Sequence, residues 1–240
     1  RAALSAATIE GNTLTLVGQL DRKLYSATNK VIEAAGGKWN RKAGSHVFGG
    51  PAIDVIEPIL LTGEYRVTKQ DFGQFDTPPD VVARLIELAE IEDGMKVLEP
   101  SCGVGILVSA AIREGGNVYA YEIDPNRFEI ARSSYFPSGG IGCKDFLGVD
   151  PAQVFDRVLM NPPFAGLADI EHVLHALKFL KPGGRLVSVM SSSFTFRAQK
   201  KAEAFRDFLV KVRAEVEELP EGSFKSSGTM VQTCIVTIDA

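Results

Sequence analysis

The 240-residue sequence is poor in the residues that build metal centres and covalent staples. Cysteine occurs three times, at Cys102, Cys143 and Cys234, and histidine three times, at His46, His172 and His175. Neither set has ligand or pairing spacing, so no metal site and no disulfide framework is expected, and a reducing, cytoplasmic setting is. No apolar run approaches the ~20 residues of a membrane span, and no leader pattern opens the chain, so no membrane contact is expected. The chain begins with Arg1 rather than Met, and sequence is expected to precede it. A surplus of positive charge is also missing. The formal net charge is −4, which argues against broad, nonspecific nucleic-acid binding.

What is present is ordinary for a globular protein, with 45% hydrophobic and 23% charged residues. The charge is uneven. Residues 1–70 carry 9 Lys+Arg against 6 Asp+Glu, whereas residues 71–240 carry 17 against 24. The pattern divides the chain into a small α+β unit over residues 1–68 and a larger domain over 69–240. In the first, Thr13-Leu14-Thr15-Leu16-Val17 alternates as a strand, and Asp21 is placed to cap a helix running to about Ala35. A strand at His46-Val47-Phe48 follows, and Pro51 opens a helix ending near Gly63. Lys38, Arg41 and Lys42 surround the single tryptophan, Trp39. That cluster reads either as a grip on nucleic acid or, more plainly, as a solvated basic hairpin tip.

The larger domain alternates strand and helix. Thr77 is placed to cap a helix with Pro78 in its first position, after which strands are expected over 96–100, 118–123, 142–146 and 157–160. A turn at Lys181-Pro182-Gly183-Gly184 leads to a fifth strand over 185–190. Two final strands, 214–219 and 231–238, have no helix between them and so pair antiparallel. The fold class is therefore α/β: a mostly parallel sheet covered on both faces, with ligands at the carboxyl ends of its strands.

Four strand ends carry chemistry. Glu99-Pro100-Ser101-Cys102-Gly103-Val104-Gly105 joins an acid to a glycine-rich turn; Val108 stands where a dinucleotide fingerprint needs glycine, and Glu99 suits a cationic ligand better than a pyrophosphate. Glu122, followed by Ile123, is placed to take ribose hydroxyls or to be a solvated strand end. Asp145-Phe146 offers an acceptor and a ring face to a purine, or is a turn acid beside a core ring. The fourth end, Asn161-Pro162-Pro163-Phe164, stops an apolar run with two stiff residues. Its Asn161 and Pro162 carbonyl oxygens can accept hydrogen bonds from one amino group while Phe164 lies against a planar ring. Its plainer reading is a turn and a core aromatic.

In order and spacing these four segments resemble those of the class I S-adenosylmethionine-dependent methyltransferases, above all the adenine-N6 DNA methyltransferases, over about residues 70–240. The resemblance implies a Rossmann-like fold whose seven-stranded sheet ends in an antiparallel strand, with S-adenosyl-L-methionine as cofactor. It implies that Phe75, Thr77 and Pro78 touch the methionine end of the cofactor. Residues Glu99, Pro100, Ser101, Cys102, Gly103 and Gly105 would form its loop, Glu122 and Ile123 its ribose site, and Asp145 and Phe146 its adenine pocket. Asn161, Pro162, Pro163 and Phe164 would be catalytic, acting on a base turned out of its stack. Phe224, with the Ser227-Gly228-Thr229 turn, resembles the segment that lines the target-base pocket.

The resemblance also implies a nucleic-acid substrate, DNA ahead of RNA, and no catalytic metal. Relatives with Asn-Pro-Pro-aromatic also methylate RNA bases or protein glutamine, and a silent cofactor-binding partner is the remaining alternative. Many family members carry a target-recognition domain after the last strand. Here the chain stops at Ala240, so Lys38 and Arg41 of the N-terminal unit, or a partner subunit or dimer, are expected to contribute recognition.

Overall fold

The computed structural model describes residues 2–49, 51–62, 75–136, 138–227 and 231–240. The boundary expected at 68/69, the helix end near Gly63, and Gly228 and Thr229 lie outside these residues.

The N-terminal part runs α1 (Ala2–Ser5), β1 (Thr8–Glu10), β2 (Thr13–Thr15), α2 (Arg22–Ala34), β3 (Lys38–Asn40), β4 (Ser45–Val47) and α3 (Ile53–Thr62). Its strands form a four-stranded antiparallel sheet in the order β1-β2-β4-β3. Asp21 caps α2 as its position predicts, its carboxylate accepting from the Leu24 N–H at 2.9 Å. Leu14, Ile32, Phe48, Ile56 and Leu60 form a separate small core.

The larger part continues with α4 (Pro79–Ala89), β5 (Lys96–Glu99), α5 (Ile106–Arg113), β6 (Asn117–Glu122), α6 (Pro125–Tyr135) and β7 (Ile141–Cys143). It is completed by β8 (Phe155–Met160), α7 (Ala168–Ala176), β9 (Leu180–Ser191), α8 (Ser193–Phe196), α9 (Lys200–Lys211), β10 (Glu215–Glu218) and β11 (Thr233–Asp239). Seven strands form one sheet in the order β10-β11-β9-β8-β5-β6-β7. Strands β5 to β9 pair in parallel, and β11 runs antiparallel to both β9 and β10. The architecture is the Rossmann-like α/β sheet expected. Because side chains alternate across a strand, neighbours divide between two cores. Val97, Leu159 and Val187 join α4 and α5 on one face; Leu98, Val158, Met160 and Leu186 join α7 and α9 on the other. Strand order reverses between β5 and β8, which opens a crevice at their carboxyl ends.

Two local expectations are corrected. The cap of α4 is Pro78, with Pro79 in the first helical position, and Thr77 makes no cap bond. The turn expected at residues 181–184 is instead the irregular start of β9: the register shifts between Phe155↔Leu180 and Arg157↔Arg185, and Gly183 takes φ 78°. No helix among the described residues is long and apolar enough to cross a membrane.

Candidate active site

The crevice holds a cavity of about 380 Å³ bounded by Phe75, Gly103, Glu122, Ile123, Phe146 and Asn161, among others. A second, of about 30 Å³, lies beside it against Thr77, Glu99, Cys102 and Leu107. Phe75, Ser101, Gly103, Arg127 and Asn161 line both. Residues from β5, β6 and β8 thus converge, with the turn after β7 adding Asp145 and Phe146.

Asn161 follows the last residue of β8. Its side-chain Nδ2 donates to the Phe75 carbonyl at 3.0 Å and to the Thr77 hydroxyl at 3.1 Å. A carbonyl only accepts, so the amide nitrogen must face Phe75, which leaves Oδ1 as the acceptor presented elsewhere. The hydroxyl that fails to cap α4 therefore orients Asn161. Pro163 lines the larger cavity. Phe164 and Phe224 are 4% and 0% exposed and share one apolar cluster, so neither ring face is presented to the crevice in this conformation.

The glycine-rich loop after β5 is bound to β6. Glu122, nearly buried, accepts from the Gly103 N–H at 2.7 Å through one oxygen and from the Asp124 N–H at 2.8 Å through the other. Each carboxylate oxygen has a second lone pair for a ligand hydroxyl. Ile123 is 63% exposed beside it, an apolar surface facing the cavity. Asp145 caps the short turn Phe146–Gly148 through the Leu147 N–H at 3.0 Å. Phe146 is buried, 4.8 Å from His175 and 5.1 Å from Phe179 by ring centroids. The plainer readings of both residues hold for these contacts, while both also line the cavity.

Glu99 is 2% exposed, and its Oε2 has no hydrogen-bond partner among the described residues. Burial, reinforced by the Glu122 charge, pushes its carboxyl well above the usual carboxylate range; Arg127 opposes the shift. A buried, unpartnered acceptor in a cleft is a specific invitation to a cation or a strong donor. Cys102 is no nucleophile: burial and the nearby acids push its thiol far up, so it stays protonated.

Arg127, in the first turn of α6, is a residue the sequence reading passed over. Its Nη2 donates to Asp76 Oδ1 at 2.7 Å, while its Nε is buried without a partner. The guanidinium lies over Gly103 (φ 56°), where a Cβ would run into it. A signal was available, because a cation in the first turn of a helix opposes the helix dipole and needs another reason to be there. Lys38 and Arg41 are exposed on the β3–β4 hairpin, belong to the other sheet, and line neither cavity. Among the described residues no cluster of metal-ligating side chains occurs.

A family model described as "Methyltransferase small domain" matches residues 74–216, more than half of the chain. The type II methyltransferase M.TthHB8I of Thermus thermophilus is 31% identical over 116 residues, 47% of this chain and 26% of that protein. A protein-L-isoaspartate O-methyltransferase of Thermococcus onnurineus is 32% identical over 169 residues, 66% of this chain and 69% of that one. Among solved structures, a modification subunit of a putative type I restriction enzyme from Vibrio vulnificus superimposes with TM-score 0.59 at 18% identity. The match covers 71% of this chain and 45% of that one. The chain thus spans about a quarter of the type II enzyme and under half of the restriction subunit.

Proposed function

We infer, because this chain belongs to the methyltransferase small domain family of class I S-adenosylmethionine-dependent methyltransferases, that it methylates the N6 amino group of adenine in DNA. The single observation that carries the reading is the orientation of Asn161, whose amide nitrogen is held by Phe75 and Thr77 so that Oδ1 is left to accept.

The residues present fit the cofactor. Glu99, with its orphaned oxygen, suits the cationic methionine end; Glu122 keeps lone pairs for the ribose; Ile123 and Phe146 give apolar surface to the adenine, and Asp145 an acceptor. When bound, S-adenosylmethionine supplies an electrophilic methyl group on a sulfonium. The chain's own residues position the acceptor. Asn161 Oδ1 and the Pro162 carbonyl accept from the substrate amino group, which localises its lone pair. Pro163 stiffens the turn that sets their angle. Phe164 and Phe224 are the proposed ring contacts of the base, and stacking requires Phe164 to turn out of its apolar cluster.

Oxygen methylation, suggested by the isoaspartate relative, fits less well. Two carbonyl oxygens facing an acceptor carboxylate would repel it, whereas they match the two hydrogens of an amino group. DNA is favoured over RNA by the Phe75-Asp76-Thr77-Pro78-Pro79 opening and by the relative named a type II methyltransferase. Lys38 and Arg41, or a partner subunit, are proposed to supply the phosphate contacts that the acidic domain does not.

The test is nucleoside mass spectrometry after incubation with S-adenosylmethionine and either unmethylated DNA or total RNA. N6-methyldeoxyadenosine from DNA alone is expected; a methylated ribonucleoside instead would replace the DNA reading. Asn161→Ala is expected to keep cofactor affinity within about two-fold and lose at least ~10²-fold in transfer rate, the scale of removing one preorganised polar group. Transfer at the wild-type rate would refute the assignment.

A further inference from the structure

The Arg127–Asp76 pair is out of place as a structural salt bridge. Asp76 is half exposed, with side-chain exposure of 49%, so the pair gains little as a surface contact. Arg127 is only 20% exposed and directs one buried, unpartnered N–H into its surroundings. Its side chain passes over Gly103 between the two cavities, bordering the small one that also contains Glu99 and reaches Asn161. The cleft therefore places a buried carboxyl with an unsatisfied oxygen, Glu99, and a guanidinium with spare donors on the walls of one small space. This arrangement is complementary to a zwitterion. An α-amino acid end carries an ammonium and a carboxylate on adjacent atoms, and a guanidinium fork is the side chain best matched to a carboxylate.

We propose that Arg127 binds the α-carboxylate of the cofactor's methionyl end, and that Asp76 is an internal competitor for the same guanidinium. Glu99 takes the ammonium side of the same group. The inference rests on the cofactor and is independent of whether the methyl acceptor is adenine in DNA. It also gives the segment before α4 a role: Asp76 precedes the Thr77 that orients Asn161, so release of Asp76 by the incoming carboxylate acts next to the catalytic amide.

The test compares two ligands by calorimetry, S-adenosylhomocysteine and its decarboxylated analogue S-adenosyl-3-thiopropylamine. Wild-type protein is expected to bind the first at least about ten-fold more tightly, the scale of one charge-assisted hydrogen bond. Arg127→Gln is expected to weaken S-adenosylhomocysteine by about that factor and leave the analogue unchanged, so that the preference disappears. Asp76→Asn, which frees the guanidinium, is expected to tighten S-adenosylhomocysteine a few-fold. Equal wild-type affinity for the two ligands would overturn the proposal without any variant. So would an Arg127→Gln protein that loses both ligands equally, because Arg127 would then only brace the Gly103 loop. Binding of neither ligand by wild type would overturn the cofactor reading as well, whereas equal binding with DNA methylation intact overturns this proposal alone.

Discussion

Two buried glutamates lie near arginines in this molecule, one arginine buried and one partly exposed, and they are completed differently. Glu57, on α3 of the N-terminal part, accepts from the Gly166 N–H, while Arg197 Nη2 lies 3.0 Å from its other oxygen. Both side chains are almost wholly buried, at 3% and 2% exposure. Glu99, at the end of β5, has a second anion, Glu122, for a neighbour and an oxygen with no partner. The first glutamate has a counter-charge supplied by the protein, although its Oε1 and the Arg197 nitrogens make no well-aligned hydrogen bond among the described residues; the second has a like charge beside it and an oxygen left free. Burial raises the carboxyl of both, but Arg197 opposes the shift at Glu57, whereas Glu122 adds to it at Glu99. A closed pair joins parts of a structure, and an open one marks where a ligand goes.

The closed pair has a further consequence. Gly166 and Leu167, at φ 65° and 61°, are successive left-handed residues between the Asn161-Pro162-Pro163-Phe164 motif and α7. For leucine that conformation costs about 1–2 kcal/mol. Among the described residues helix α7 has no side-chain cap bond, and the Glu57 carboxylate accepts from the backbone N–H groups of Gly166 and Leu167 just before it. The N-terminal part thus holds the loop that follows the Asn161-Pro162-Pro163-Phe164 motif. Breaking this pair is the largest effect expected. Glu57→Ala strands the Arg197 charge and should lower stability by about 3–5 kcal/mol. At roughly 2–4 °C per kcal/mol this is a fall on the order of 10 °C in melting temperature. Replacing both residues with apolar ones of similar volume should restore most of it, and a double variant as unstable as the single would show that the charges are not what joins the two parts.

The open pair should respond in the opposite sense. A carboxyl whose folded-state pKa is raised adds stability that is complete below its unfolded pKa and is lost as pH rises through the folded value. Glutamine imitates the protonated form at every pH. Glu99→Gln should therefore stabilise the ligand-free protein most at the alkaline end of its stability range, by an amount on the order of 1 kcal/mol. It should flatten the decline of melting temperature with pH and weaken S-adenosylhomocysteine about ten-fold. Loss of stability in this variant would place Glu99 with Glu57 and end the contrast.

The sequence shows these two regions unequally, for physical reasons. The sheet and its two cores follow from period-two alternation, as Val97/Leu98 and Val158/Leu159 show by dividing between faces. The caps at Asp21 and Asp124 are local bonds, and local chemistry predicts them. That Glu99, Glu122 and Asn161 would meet at one crevice was legible because a strand end is a fixed place in this topology. Thr77 was misread because the signal for a cap and the signal for a hydrogen-bond partner 84 residues away are the same hydroxyl. Glu57 and Arg197 gave no signal at all: each is an ordinary charged residue until the fold buries it, and their contact spans two sheets. Phe164 and Phe224 share the ambiguity of every aromatic, since the packing that buries them is compatible with a later role against a base.

The smallest effect is the most discriminating. If Glu99, its carboxyl raised by burial, holds a proton in the ligand-free cleft and ionises to meet a cation, cofactor binding must release protons to the buffer. Titration of S-adenosylmethionine near pH 7 in buffers of different ionisation enthalpy should then give observed heats that vary with the buffer, corresponding to a fraction of a proton released. Glu99→Gln should remove that dependence, while Glu57→Gln should leave it unchanged, because Glu57 lines neither cavity. Buffer dependence that survives Glu99→Gln would move the titrating group elsewhere in the cleft, with His172, lowered by burial and lining the adjoining larger cavity, the next residue to replace. The sign separates the two at once: a histidine that becomes protonated against a bound carboxylate takes up protons, whereas a glutamate that ionises beside a bound cation gives them up.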